Sequence, residues 1–285
     1  MLTPSARNGG FDVFGTRIDA VQTQAVIACM GEWVSQFRSE TGSERKTGPV
    51  PARVVTLTNV HAVVESRRNP LLRIAFSNAD IVCPDGMPLV WMGRRCGHPL
   101  PSRVSGPDLM VAFCEQTQEK EPSHYFLGAG PGVAAQLAAN LKMRFPRLSV
   151  AGFCSPPFRG LTCEEDDALI ARINAARPEV LWVGLGCPKQ EVWIEQHRHR
   201  LNVGVILGVG QAFDIHAGIL KRAPRWMRDA GLEWFFRLCA EPRRLWKRYL
   251  VTNSCFIWFL FASRTVAFMQ RYRKPSDGTL PPAQA

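Results

Sequence analysis

The chain has 285 residues, of which 46% are hydrophobic and 21% charged, values that exclude a disordered protein and suit one large α/β domain with or without an appendage. The net charge of +11 favours a phosphate-bearing partner, namely a nucleotide, a nucleic acid or an anionic membrane. Nine scattered cysteines without a CxxC pair indicate reduced thiols, and the first residues lack the pattern of a secretory signal, so we expect a protein of the cytoplasm or of the membrane's inner face.

Strands and helices are predicted to alternate along most of the chain. A short strand near 14–21 leads into an amphipathic helix over 22–37, and turn-forming and charged residues over 39–51 indicate a loop. Apolar, β-rich runs predict strands at 54–60, 81–84, 124–130, 148–153, 180–186 and 203–210. Helical patterns lie between them at 87–96, 107–118, 131–145, 164–177 and 189–200. This alternation predicts an α/β fold with a mostly parallel sheet and helices on both faces.

Glycines follow several of the predicted strands, where ligands bind in such sheets. A glycine between a strand and a helix lets a phosphate approach the N–H groups at the start of the helix. The segment GAGPG therefore suits a nucleotide diphosphate, although Val133 replaces the third glycine of the dinucleotide fingerprint and a purely structural turn is an equal alternative. The candidate nucleotide-binding glycines are Gly128, Gly130, Gly186 and Gly210.

Asp85 is the leading candidate for a general base. It follows the apolar run IVCP, so its carboxylate should project from the sheet edge in a partly desolvated position and accept a proton from an attacking hydroxyl. A simple Asp-Gly turn is the alternative interpretation. Asn59 and Gln190 follow other strands, and each is expected either to bind a ligand or to cap the next helix.

The segment 221–248 is strongly basic and rich in aromatic residues. Nine Lys and Arg face three Asp and Glu there, and Trp and Phe side chains are interleaved with them. Arg237, Arg244 and Arg248 are predicted to share one helical side, with a solvated basic face as the alternative, while Pro242 is predicted to begin a new helix. Basic and aromatic residues together favour attachment to an anionic membrane surface.

The apolar stretch 249–269 follows directly and carries one charge, Arg264. Its interspersed polar residues make a membrane span marginal, so an interfacial helix is favoured over a span or a packed soluble helix. The predicted organisation is a catalytic core at 1–216, a basic appendage at 217–250, and an apolar interfacial helix with a disordered polar tail at 251–285.

Motifs for metal or NTP chemistry are missing from the sequence. It has no HExxH or DxD motif, and His197 and His199 point to different sides of a helix. It also has no GxxxxGK[ST] motif, which disfavours a P-loop enzyme. We expect chemistry without an essential metal or other cofactor, with arginines neutralising a leaving diphosphate.

A family resemblance rests on several segments that occur in order. They are TLTNVHAVVESRRNPLLRIAFSNADIVCPDGMPLVW, RVSGPDLM, GLGCPKQEVWI and GVGQAFDIHAGILKRAPRWMRDAGLEWFFRLCAEPRRLWKRYL. Over 56–250 the chain resembles the WecG/TagA/CpsF glycosyltransferases, glycosyltransferase family 26. The resemblance implies a Rossmann-like core, a C-terminal appendage that docks on the membrane and completes the active site, and inverting, metal-independent transfer from a UDP-sugar to a polyprenyl-diphosphate-linked sugar.

The resemblance also implies roles for particular residues. Asp85 matches the proposed base, and the positions that match pocket or nucleotide contacts are Asn59, Arg103, Gln190 and Asp214. Arg237, Arg244 and Arg248 fall among the appendage arginines thought to reach the diphosphate. One position departs from the family pattern Thr-x-Asn, because Leu57 stands two residues before Asn59; we expect Thr58 or Thr56 to take over that hydrogen bond.

The implied donors are UDP-N-acetylmannosamine, its uronic acid and UDP-glucose, and no residue of the sequence chooses among them. Alternative functions are a non-catalytic membrane-surface binding protein, a nucleic-acid-binding protein and a nucleotide-dependent oxidoreductase. The first does not explain glycine and polar residues at several strand ends. The second is disfavoured because the basic segment runs into an apolar stretch, and the third because the complete dinucleotide fingerprint is missing. We therefore expect no nucleic-acid partner.

Overall fold

A computed structural model of the protein describes residues 9–41 and 51–272, with the backbone alone at 263–272. The strands are β1 (Gly10–Val13), β2 (Thr16–Asp19), β3 (Arg53–Thr58), β4 (Ile81–Pro84), β5 (Ser123–Gly128), β6 (Ser149–Cys154), β7 (Val180–Gly184) and β8 (Val205–Gly208). The helices are α1 (Thr23–Thr41), α2 (Val60–Ser66), α3 (Pro70–Asn78), α4 (Met87–Arg95), α5 (Gly106–Gln116), α6 (Val133–Arg144), α7 (Cys163–Ala176), α8 (Lys189–His197), α9 (Ala212–His216), α10 (Arg225–Asp229), α11 (Glu233–Ala240) and α12 (Pro242–Tyr272).

Six strands form one sheet in the order β4-β3-β8-β7-β5-β6, and every neighbouring pair is parallel. The predicted parallel sheet is confirmed, and each predicted strand from 54 onward overlaps an observed one. Strands β4 and β8 are buried along their whole length. Such strands read as continuous apolar runs because both of their faces are covered, which is why the sequence pattern locates them well.

Helices cover both faces of the sheet, as predicted. One core lies between the sheet and helices α1, α5, α6 and α9, with Trp182 of β7 and Phe113 of α5 among its buried side chains. The opposite core lies under α2, α3, α4, α7 and α8, with Tyr125 of β5 and Phe76 of α3. The two layers leave the carboxyl edge of the sheet open for loops and for the helices that follow α9.

The chain begins differently from the prediction of one strand near 14–21. β1 and β2 form an antiparallel hairpin that is separate from the main sheet. Its turn places Phe14 at φ 53° and Gly15 at φ 89°. Two successive positive φ angles are what a tight hairpin turn requires, and a phenylalanine gives no sequence signal for the first of them. The predicted helix 22–37 is confirmed as α1, which extends to Thr41.

The described chain ends in the C-terminal helical segment, α10 to α12. Gly231, at φ 74°, follows α10, and Pro242 begins α12 as predicted. α12 is continuous across residue 250, so the predicted basic appendage and apolar helix share one helix. The prediction that Arg237, Arg244 and Arg248 share one helical side is wrong, since Arg237 lies on α11 and the others on α12.

Among the described residues, no helix combines the length and apolar character that crossing a bilayer requires. The predictions for the polar start of the chain, for most of the loop at 39–51 and for the polar tail fall on 1–8, 42–50 and 273–285, which lie outside the described residues.

All nine cysteines are free thiols, in agreement with the prediction from the sequence. Two of them, Cys83 and Cys114, are fully buried, and the other seven are partly or fully exposed.

Candidate active site

Glycines line the carboxyl edge of the sheet where β5, β7 and β8 end. Gly128 pairs with Gly184 across β5 and β7 and has φ 130°. A Cβ on Gly128 would lie 2.6 Å from the Gly184 carbonyl carbon, so only glycine allows the two strand ends to come this close. Gly130 follows in the loop before α6, beside the exposed ring of Phe158.

The loops after β7 and β8 meet at Gln190. The Gln190 Oε1 atom accepts a hydrogen bond from the Gly186 N–H at 3.1 Å, and its Nε2 donates to the Glu191 carboxylate at 2.8 Å. A Cβ on Gly210 would lie 3.4 Å from Gln190 Oε1. The buried Gln190 side chain therefore braces the loop after β7, close to Gly210 of the loop after β8. The alternative that Gln190 caps α8 is wrong, because the N-cap residue is Pro188 and no side chain caps this helix. A contact of Gln190 with a ligand stays a prediction.

Asp85 stands at the same edge, directly after β4. Its backbone N–H donates to the Thr58 carbonyl at 2.7 Å, and Gly86, at φ 149°, then turns the chain into α4. The side chain is 23% exposed. Burial raises the pKa of Asp85 to about 6, Arg103 opposes that rise, and Glu233 adds to it. A carboxylate with this pKa is ionised at neutral pH and is a stronger base than an ordinary aspartate.

Arg103 connects Asp85 to the C-terminal helical segment. One guanidinium nitrogen lies 3.6 Å from Asp85 Oδ1, and the other forms a close ion pair with Glu233 in the first turn of α11. Burial disfavours the charge on Arg103, but Asp85 and Glu233 together raise its pKa. Arg222, just before α10, likewise pairs with Asp108 of α5. Arginine–carboxylate contacts such as these hold the C-terminal helices against the edge of the sheet.

Thr58 and Asn59 end β3 beside Asp85. Thr58 is fully buried, and within the described part of the chain its hydroxyl has no hydrogen-bond partner. Asn59 caps α2, accepting a hydrogen bond from the Ala62 N–H at 3.1 Å. Leu57 belongs to the core and packs beside Gly106. That Thr58 or Thr56 takes over the hydrogen bond of the family's threonine stays a prediction.

Cationic groups converge above this edge from α11 and α12. Burial lowers the pKa of His61 to about 4, and Arg248 and Arg237 lower it further through their charge. Burial and Arg248 also lower the pKa of Arg237. The Nε atoms of Arg237 and Arg248 are buried and have no partner among the residues that the structure describes. Arg237 and Arg248 thus bring positive charge together next to His61, and such a concentration of charge favours an anion.

The third predicted arginine lies toward Asp214. Arg244 forms an ion pair with Glu241 and is 60% exposed. Burial raises the pKa of Asp214, while Arg244 and then Arg237 oppose that rise. Arg237 also acts on Asp85 and on His61, so its charge reaches both the candidate base and Asp214. The structure thus brings the three arginines together from two helices.

The motifs do not indicate Glu233 as a site residue. It is one of three acidic residues in a basic segment, and its pairing with Arg103 spans 130 positions, which no local pattern reveals. Glu191 is buried beside Gln190, and burial raises its pKa.

Within the described residues, no group of three or more His, Cys, Asp or Glu could hold a metal ion. Metal independence stays a prediction.

Comparison with known proteins identifies the class. A family model described as glycosyl transferase WecG/TagA/CpsF matches residues 11–269. The chain is 32% identical over 196 residues, 69% of its length and 74% of the relative's, to an N-acetylglucosaminyldiphosphoundecaprenol N-acetyl-beta-D-mannosaminyltransferase of Bacillus spizizenii. It is 34% identical over 175 residues, 61% of its length and 66% of the relative's, to the protein of that name from Bacillus subtilis.

The protein is therefore a glycosyltransferase. It belongs to the WecG/TagA/CpsF family, as the resemblance of its motifs implied. The non-catalytic and oxidoreductase alternatives raised by the sequence are excluded by this assignment.

Proposed function

We propose that this enzyme transfers a sugar, with inversion, from a UDP-sugar to a hydroxyl of a polyprenyl-diphosphate-linked sugar in the synthesis of a bacterial surface polysaccharide or exopolysaccharide. The observation that carries the proposal is Asp85, a carboxylate of raised pKa at a glycine-lined sheet edge, beside Arg103 and within reach of the charge of Arg237 on α11. A base for the acceptor and cations for the leaving diphosphate are the two groups that such a transfer needs.

Asp85 takes the proton from the acceptor hydroxyl as that oxygen attacks the anomeric carbon of the donor. The bond from that carbon to the UDP oxygen breaks on the opposite face, so the configuration inverts. UDP leaves with the bonding electrons and gains negative charge. Arg237, whose charge reaches both Asp85 and Asp214, stabilises that charge, because shielded cations act more strongly than exposed ones.

The remaining predicted residues divide between the two substrates. The UDP moiety lies along Gly128, Gly130, Gly186 and Gly210, with Asp214 and Arg244 at its far side. The acceptor sugar approaches Asp85 past Thr58, Asn59 and Arg103, and its diphosphate lies toward Arg248 and His61. Gln190 keeps the loop after β7 in place for the donor.

The named relatives direct the choice of substrates to be tested. Both are N-acetylmannosaminyltransferases that act on N-acetylglucosaminyldiphosphoundecaprenol. UDP-N-acetylmannosamine with a diphosphate-linked N-acetylglucosamine acceptor is therefore our first substrate pair, and UDP-N-acetylmannosaminuronic acid and UDP-glucose are the alternatives for the donor.

We infer further that the enzyme attaches peripherally to the cytoplasmic face of the bacterial inner membrane. One side of α12 packs on the body through Leu245, Thr252 and Phe256. The outward side exposes apolar and aromatic side chains, namely Trp246, Leu250, Val251, Ile257, Trp258 and Phe261. Exposed Arg243 and Lys247 precede most of them on the same helix. This order suits a helix lying in the headgroup region of an anionic leaflet, where the lipid-linked acceptor also resides.

The test is UDP release from a panel of UDP-sugars, with and without a short-chain polyprenyl-diphosphate-N-acetylglucosamine acceptor in detergent. We expect acceptor-dependent release with one donor and a β-linked product, unchanged by EDTA. Folded protein that releases no UDP with any of these donors would contradict the proposed reaction. Loss of activity with EDTA that is restored by a divalent cation would contradict metal independence alone.

A further inference from the structure

Glu233 binds the arginine that lies beside Asp85. Its carboxylate lies in the first turn of α11 and forms a close ion pair with the Arg103 guanidinium. The same guanidinium lies 3.6 Å from the Asp85 carboxylate. The side chains of Arg103 and Glu233 are only 15% and 20% exposed, so this shared contact is largely shielded from water.

The two carboxylates do not share the Arg103 guanidinium equally, and this matters because one of them, Asp85, is the candidate base. A carboxylate in a close pair with arginine is strongly favoured in its charged form and accepts protons poorly. Arg103 gives its close contact to Glu233 and only the longer contact to Asp85. Asp85 therefore stays ionised at neutral pH without losing its basicity to a tight ion pair.

We propose that Glu233 is a positioning residue which, by holding the Arg103 guanidinium, prevents that cation from pairing closely with Asp85 and so leaves Asp85 able to accept the acceptor's proton. This inference rests on the proposed function, in which Asp85 is the base. It gives the C-terminal helical segment a second role besides supplying cations. Glu233 engages Arg103 because α11 is seated on the sheet edge, so the packing of α11 bears on the basicity of Asp85.

Other charged groups also act on the pKa of Asp85, and an experiment on Glu233 must leave them unchanged. Arg237 on α11 and Arg222 before α10 act on it in the same direction as Arg103, while Glu233 acts in the opposite direction. The buried Cys83 thiol of β4 lies close enough to feel the Asp85 charge. Removing the charge of Glu233 leaves all of these groups in place.

The experiment compares the full-length protein with Glu233→Gln, which keeps the side-chain shape and a carbonyl acceptor. Asp229→Asn is the matched control, since Asp229 is a 70% exposed carboxylate on α10 whose ion-pair partner among the described residues is Arg225 of the same helix. The pH dependence of kcat/KM gives one readout. The ¹³C resonance of the Asp85 carboxyl, assigned with Asp85→Asn, gives a second readout that requires no activity.

We expect Glu233→Gln to move the acid limb of kcat/KM and the Asp85 titration midpoint to lower pH by about half a unit or more. The control should keep both at their wild-type positions. A folded Glu233→Gln protein with lower activity and unmoved midpoints would assign Glu233 a merely structural role and overturn the inference.

A further variant covers the case in which Glu233→Gln does not fold. Arg103→Gln removes the shared cation, so the Asp85 midpoint should rise above that of the wild type; an unchanged or lower midpoint would overturn the inference. The resonance reports the protonation of Asp85 whether or not the enzyme turns over. A protein that transfers no sugar but shows the expected shift in midpoint would therefore contradict the proposed reaction and leave this inference standing.

Discussion

The guanidinium of Arg103 lies 3.6 Å from the carboxylate of Asp85, at the carboxyl edge of a parallel sheet. Arg103 therefore joins the candidate base to α11, because it also pairs with Glu233. The groups around Asp85 come from segments that lie far apart along the chain. The chemistry of Asp85 therefore depends on how the C-terminal helices pack against the sheet.

The pH dependence of the reaction should report Asp85. Its pKa of about 6 is raised mainly by burial, and a base must be ionised to act. We therefore expect kcat/KM to be level above about pH 7 and to fall about tenfold per unit below about pH 6. The measurement is initial-rate UDP release across this range with a control for stability. A profile that stays level down to about pH 5 would contradict Asp85 as the base.

The same shift predicts how Asp85→Asn changes stability. The folded state holds the Asp85 proton more tightly than the unfolded state does, so the free energy of unfolding of the wild type falls as pH rises from about 4 to about 6. The Asn variant lacks this loss. Above pH 6 it should be more stable than the wild type by about 1 to 3 kcal/mol, a range that allows for partial solvent access.

Denaturant unfolding at several pH values measures this difference. The gain should shrink toward zero as the pH falls to about 4, because both proteins are then uncharged at this position. An Asn variant that is less stable than the wild type at neutral pH would show that Asp85 is a structural ion-pair partner and not a strained functional group.

Arg237 should matter far more than an arginine of equal charge elsewhere on these helices. Its Nε is buried and has no partner within the described part of the chain, whereas Arg243 on α12 is exposed. With a short-chain acceptor in detergent, Arg237→Gln should lower kcat/KM about 10- to 100-fold, which corresponds to one charge-assisted hydrogen bond. The matched Arg243→Gln should stay within about twofold. Equal losses in the two variants would indicate a general charge effect.

Membrane attachment should depend on the outward side of α12. Trp258 and Phe261 are 68% and 61% exposed there, and burying two such side chains in a headgroup region contributes several kcal/mol at most, about 1.5 to 3 each. Trp258→Ser with Phe261→Ser should weaken binding to vesicles containing phosphatidylglycerol at least about tenfold. Activity on a short-chain acceptor in detergent should be retained.

Met143→Ser is the control for that experiment. Met143 is 74% exposed on α6, which lies on the sheet face opposite to the helices α2 and α8. Its substitution should leave vesicle binding unchanged. Vesicle binding that is insensitive to the α12 substitutions would contradict the proposed attachment surface.

Much of the core could be predicted from the sequence for a physical reason. Strands buried on both faces, such as β4 and β8, are continuous apolar runs bounded by turn residues, and they stand out from the helical pattern around them. The residues that follow them, including Asp85 and Gly210, then fall at one edge of the sheet. The hairpin escaped prediction because its turn uses Phe14 at a positive φ, which residue type alone does not indicate.

The contacts between distant segments could not be predicted in the same way. Nothing in the local sequence of Glu233 points to Arg103, and nothing near His61 indicates that Arg237 and Arg248 lie beside it. These contacts arise from the packing of α11 and α12 on the sheet edge. The motifs locate the arginines as a group, but the prediction that Arg237 shares one helical side with Arg244 and Arg248 is wrong, because two helices carry them.

The measurement that tests the central claim most directly is turnover by Asp85→Asn, with UDP binding measured by calorimetry on the same preparation. Removing the base should reduce UDP release in the presence of acceptor by at least about a hundredfold. UDP affinity should stay within about threefold of the wild type, because the glycine loops and arginines remain in place. A folded Asp85→Asn protein that transfers sugar at a rate close to that of the wild type would contradict the account.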